Sequence, residues 1–117
     1  MKNYEFNNII FHLGQSANEN WNILDNAKNT NEDYIWFHLD SFPSPYVIMD
    51  ATISDISDIS DTKLDLYLQY GANLCKQNSK YKNLINLKIL YIPVKKLTKG
   101  TVTGEVFIRG KRKTIKL

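Results

Sequence analysis

The sequence predicts an α+β domain: a twisted, mainly antiparallel sheet of about six strands with one long and one short helix. Three stretches carry that expectation. "DYIWFHLD" (33–40) alternates, with Ile35, Phe37 and Leu39 on one face and Tyr34, Trp36, His38 and Asp40 on the other, which is the two-residue period of a strand. "TKLDLYLQYGANLCKQN" (62–78) repeats Leu64, Tyr67, Leu68, Gly71, Leu74 and Cys75 at three- and four-residue steps, the stripe of a buried helix face. The last third is rich in short apolar runs broken by glycine and lysine, which read as further strands.

From the N-terminus, "YEFNNIIFHLGQ" supplies one or two strands, and "NENWNILDNAK" sets Trp21, Ile23 and Leu24 at loosely helical spacing, the short helix. After the 33–40 strand comes "SFPSP", where Pro43 and Pro45 forbid ladder pairing and impose a loop, then the expected partner strand "YVIMD". "ISDISDISD" is a three-copy repeat, too short for a solenoid; it is expected to be a loop whose Ser60 or Asp61 caps the long helix. Gly71 allows that helix to approach a sheet closely, so it is expected on the Ile35, Phe37, Leu39 face. Lys76, Lys80 and Lys82 lie at or just past its C-terminus, where the helix dipole favours positive charge. "LKILYIPV" is a strand. "EVFIRGKRKTIKL" is expected to be a hairpin turning at Gly110, which accepts the positive φ of a two-residue turn.

A chain of 117 residues suits one domain, 1–117, and is too short for two well-cored ones. Hydrophobic content of 43% and charged content of 23% exclude disordered and fibrous classes. No stretch has the length of a membrane span or the form of a signal sequence, so a cytoplasmic location with no membrane partner is expected. Cys75 alone makes no internal disulfide, and with only His12 and His38 beside it no metal-ligand spacing arises. Asp55, Asp58 and Asp61 lack the glycine turn and distal bidentate carboxylate of a calcium loop. Neither metal nor cofactor is expected.

Charge is distributed unevenly. Residues 1–78 hold four lysines against eleven carboxylates, a net of −7, whereas residues 79–117 hold eleven Lys or Arg against Glu105 alone, a net of +10. Such a concentrated positive segment attracts polyanions and releases their counterions; the competing role for strand lysines is to keep sheet edges from aggregating. Arg109, Lys111, Arg112 and Lys113, within five residues, form a tip able to reach a phosphate backbone. If the sheet is covered on one face only, Trp36 and His38 lie on its wet face, where Trp stacks a base and His hydrogen-bonds a phosphate or base edge. Packing beneath a second layer is the alternative for both.

Several separated motifs resemble the RNA-binding domain of the NFACT proteins, and especially its short stand-alone type seen in coiled-coil domain-containing protein 25. Trp36, Phe37, His38, Leu39, Asp40, Ser44 and Val47 follow the family's Trp-Phe-His, loop and His-Val order, with Tyr46 standing where the family has its second His. "ANLCKQNS" is similar to its Ala-x-Leu-x-Lys-x-Asn-Ser through Ala72, Leu74, Lys76, Asn78 and Ser79. "ILYIPVKKL" and "GTVTGEVFIRGKRKTIKL" look like its strand, Lys-rich crossing and closing segment. The resemblance runs from about residue 9 onward and adds Lys76, Asn78, Lys95, Lys96 and Lys99 to Trp36, His38 and the 109–113 cations as nucleic-acid-binding residues.

The resemblance implies binding of structured RNA, either tRNA or ribosomal RNA, in translation or ribosome quality control. It also implies a ribosome, or a separate protein supplying the other NFACT modules, as a further partner. His38, Asp40, Ser41 and Ser44 are joined by no nucleophile elbow, phosphate-cradling glycine loop or carboxylate pair, so no enzymatic activity is expected. The alternative function is a protein-interaction module whose basic C-terminal part docks on an acidic partner.

Overall fold

A computed structural model describes all residues, Met1–Leu117. Strands β1 (Lys2–Phe6) and β2 (Ile9–Leu13) form a hairpin through Asn7 and Asn8, both at positive φ, which matches the strand twist and which asparagine tolerates. Helix α1 (Ala17–Thr30) starts at Ser16, whose hydroxyl accepts the Glu19 N–H while the Glu19 carboxylate accepts the Gln15 N–H. So capped, it runs 14 residues, longer than the short helix expected. Then follow β3 (Ile35–Leu39), β4 (Val47–Met49), α2 (Ile53–Ser57), α3 (Asp61–Gln77), β5 (Lys88–Pro93), a 3-10 turn (Val94–Lys96), β6 (Leu97–Lys99), β7 (Val106–Ile108) and β8 (Lys113–Lys116).

The main sheet has six strands in the order β1-β2-β4-β3-β5-β8, every pairing antiparallel, as the α+β expectation required. Helix α3, capped by the Ser60 hydroxyl, lies on the Ile35, Phe37, Leu39 face, and Leu68 and Phe37 share one core cluster. Gly71 is required there: a Cβ on it would sit 2.5 Å from Cζ of Phe37.

Three local expectations need correction. Residues 53–57 are a helical turn rather than a loop, because the Thr52 hydroxyl accepts the Asp55 N–H and Ile56 is driven into the core. Residues 105–117 do not fold on themselves. Strand β7 pairs with β6 in a separate two-stranded sheet, whereas β8 pairs with β5 at the main sheet's edge; Gly110, at φ 83°, redirects the chain between them. Nor is the second face of the main sheet wet. Ile23, Leu24 and Ala27 of α1, with Val94 and Leu97, close over Trp36, Ile48 and Ile92 as a second core. Trp36 is 1% exposed.

Candidate nucleic-acid interface

Trp36 and His38 share a face of β3 and stack, with ring centroids 5.2 Å apart and planes 10° from parallel. Tyr46 meets both edge-on and donates its hydroxyl to the Gly104 carbonyl. That bond, together with Trp21 Nε1 donating to Glu105 O (3.1 Å), Lys28 Nζ donating to Leu97 O and the Lys99–Asp25 ion pair (3.0 Å), ties the β6–β7 unit onto α1 and over Trp36. Burial pushes the Tyr46 phenol up to about 12, so it remains a hydrogen-bond donor.

His38 lies farther along the strand and reaches the surface. Its Nδ1 is 2.8 Å from Leu39 O, an acceptor, so Nδ1 carries the proton and Nε2 keeps a lone pair bonded to no protein group. Burial lowers its pKa, the Leu39 bond opposing, and the ring is neutral near pH 7.

Two clefts, of 710 and 480 Å³, share His38, Pro43, Tyr46 and Gly104, forming two limbs of one groove. The larger runs to Asn20, Asn78 and Lys80, the smaller to Asp40, Val106 and Arg112. The wall between is the 40–46 loop. Ser44 Oγ accepts the Leu39 N–H (3.1 Å) and donates to Pro45 O (3.0 Å), and the Cys75 thiol of α3 supports the same loop at 3.5 Å from Ser44 Oγ and Pro45 O. No carboxylate lies within ion-pairing distance of Lys80, Lys96, Arg109, Lys111, Arg112 or Lys113.

Residues 3–114 match the NFACT protein RNA binding domain. The chain belongs to this family. The NFACT RNA-binding domain is a nucleic-acid-binding module and not a catalytic one. No curated protein matches the chain. Among solved structures, the C-terminal part of the fibronectin/fibrinogen-binding protein from Streptococcus suis has the same fold, with a TM-score of 0.78 at 22% identity. The alignment covers 98% of this chain and 44% of the other. No helix is long and apolar enough to cross a membrane.

Within this NFACT domain the residues singled out from sequence fall into three groups. Arg109, Lys111, Arg112 and Lys113 are exposed, and Arg109 gathers them beside the 3-10 turn: its guanidinium donates to Lys95 O (3.1 Å) and its N–H to Lys96 O (3.0 Å). His38 and Asn78 border the groove, Asn78 capping α3 with its Nδ2 on Leu74 O. Lys96 lies beside Gly110 with no carboxylate partner, and the remaining lysines stand away from the groove. Lys95 pairs with Asp33 (2.7 Å), Lys99 pairs with Asp25 and covers the Trp21 ring, and Lys76, half-buried on α3, borders neither limb. Two cations of the +10 segment are thereby neutralised by the acidic N-terminal part.

Trp36 touches the groove only from beneath and offers no free face; its indole N–H is buried without an acceptor. Two accessible aromatics border the groove, Phe42 and Tyr81, which were not selected from sequence, with rings 4.6 Å apart; Phe107, more exposed, lies outside it. Their signal was an aromatic in a proline loop and an aromatic between lysines, "FPSP" and "KYK".

Proposed function

We propose that the chain binds structured RNA, either tRNA or ribosomal RNA, as a module in translation or ribosome quality control in the cytoplasm. The observation that carries the reading is the 109–113 strip of exposed cations, none with a carboxylate partner, in a chain of the NFACT RNA-binding family. Unpaired surface cations lose little by meeting phosphate, and each neutralised phosphate releases condensed counterions. Lys96, whose side chain lies beside Gly110, and Lys80, on the larger limb of the groove, are likewise without a carboxylate partner. Likeness to the short stand-alone type of NFACT domain supports a ribosome, or a protein carrying the remaining NFACT modules, as the further partner.

The test is RNA binding across a salt series. Replacing Lys111, Arg112 and Lys113 by Ala is expected to weaken binding about equally for tRNA and ribosomal RNA fragments. It should also reduce the slope of log affinity against log salt by about two to three. Unaltered affinity and slope would sink this reading in favour of docking on an acidic protein.

A further inference from the structure

The basic tip accounts for phosphate attraction but not for the groove, which is shaped for something smaller than a duplex. Its larger limb, 710 Å³, lies within the roughly 300–1,000 Å³ typical of small-ligand sites. Two aromatic rings 4.6 Å apart border the groove, Tyr81 lining the larger limb and Phe42 the smaller, and Phe42 is 36% exposed although it is large and apolar. Two polar groups in it have no protein partner: His38 Nε2, an acceptor, and Asn20 Nδ2, a donor whose amide is oriented because Asn20 Oδ1 accepts the Tyr46 N–H at 3.2 Å. Free cations stand at both ends, Lys80 on one limb and Arg112 on the other. An acidic peptide would use the cations and, through its backbone, the donor–acceptor pair, but its carboxylate side chains present no flat ring to stack on Phe42 and Tyr81.

We propose that the groove receives one unpaired nucleotide, its base stacked on the Phe42–Tyr81 pair, its edge hydrogen-bonded to His38 Nε2 and Asn20 Nδ2, and its flanking phosphates on Lys80 and Arg112. This deepens, and rests on, the RNA-binding reading. The domain then recognises a junction between duplex and single strand: the tip holds phosphates of either form, whereas the groove accepts only a base free of its stack.

The experiment compares two RNAs of equal nucleotide and phosphate number by fluorescence anisotropy, a blunt hairpin and a hairpin whose stem is shortened by the number of nucleotides carried in a short single-stranded 3′ extension. Wild type is expected to prefer the extended RNA by roughly 5- to 150-fold, the range of stacking one base on an aromatic site. Phe42→Ala is expected to erase the preference while leaving blunt-hairpin affinity unchanged, and Phe42→Trp to restore it. Tyr81 is half-buried, so Phe42, at the surface, carries the test, and a thermal melt verifies that each variant is folded. Removing the extension's bases while keeping its phosphates should act like Phe42→Ala. If wild type binds both RNAs equally, or Phe42→Ala weakens both alike, the nucleotide groove is wrong and the RNA reading stands. If wild type binds neither, both fall.

Discussion

Gly71 of α3 rests on the Phe37 ring so closely that any side chain there would collide with it, a Cβ falling 2.5 Å from Cζ and 2.6 Å from Cε1. Glycine inside a helix normally costs about 1 kcal/mol relative to alanine, so propensity alone favours Gly71→Ala. Overpacking costs more, about 1–3 kcal/mol, because Phe37 is wholly buried and has nowhere to turn. Gly71→Ala is therefore expected to destabilise the domain, with a lowered midpoint and unchanged slope in urea. A stabilised variant would refute the close approach.

Trp36 should behave as core. Trp36→Ala is expected to cost about 3–5 kcal/mol, with RNA affinity intact in the folded fraction. Trp36→Phe should cost less than about 1.5 kcal/mol, because it also removes an indole N–H buried without an acceptor. Large loss of RNA affinity at unchanged stability would contradict the buried placement.

Stability should fall on mild acidification. Burial holds His38 below its ordinary pKa of 6.5, so below that value the unfolded chain takes up a proton that the folded chain resists. The contribution is complete above pH 6.5 and is lost as pH drops from there toward the folded value. Chemical denaturation between pH 5 and 8 should show this slope in wild type, reduced in His38→Gln. Equal slopes in both proteins would overturn the assignment.

Cys75 should be inert while folded. The side chain is 0% exposed and burial raises its thiol pKa to about 11, its bonds to Ser44 and Leu39 opposing. At pH 8 a thiol reagent is expected to react at least about a hundredfold more slowly with native protein than in denaturant. Rapid native labelling would show the 40–46 wall opening.

Much of the fold was readable because it rests on local periodicity. Alternation at 35–39 separated Ile35, Phe37 and Leu39 from Trp36 and His38, and both sets lie on the faces that alternation assigns. The stripe through Leu68 and Gly71 likewise named the helix face that meets Phe37. Alternation reveals two faces but not what covers them. The cover over Trp36 depends on α1 and β6–β7 meeting it from distant parts of the chain. The same limit made 105–117 read as a hairpin: Val106–Ile108 and Lys113–Lys116 are adjacent in sequence, yet each finds a longer-range partner. In the site, cation density was visible at once, but which lysines are neutralised was not. Lys95 and Lys99 are claimed by Asp33 and Asp25, partners that only folding brings near.

The order β1-β2-β4-β3-β5-β8 also dictates what a growing polypeptide shows to its surroundings. One edge of β3 finds β4 within a few residues, but its other edge waits for β5, which lies beyond α2 and α3. At roughly 5–20 residues per second, synthesis leaves that edge, with Ile35, Phe37 and Leu39, unpaired for on the order of several seconds. During that interval the nascent chain presents an apolar strand, IWFHL, as a template for other strands, a hazard that the finished sheet conceals.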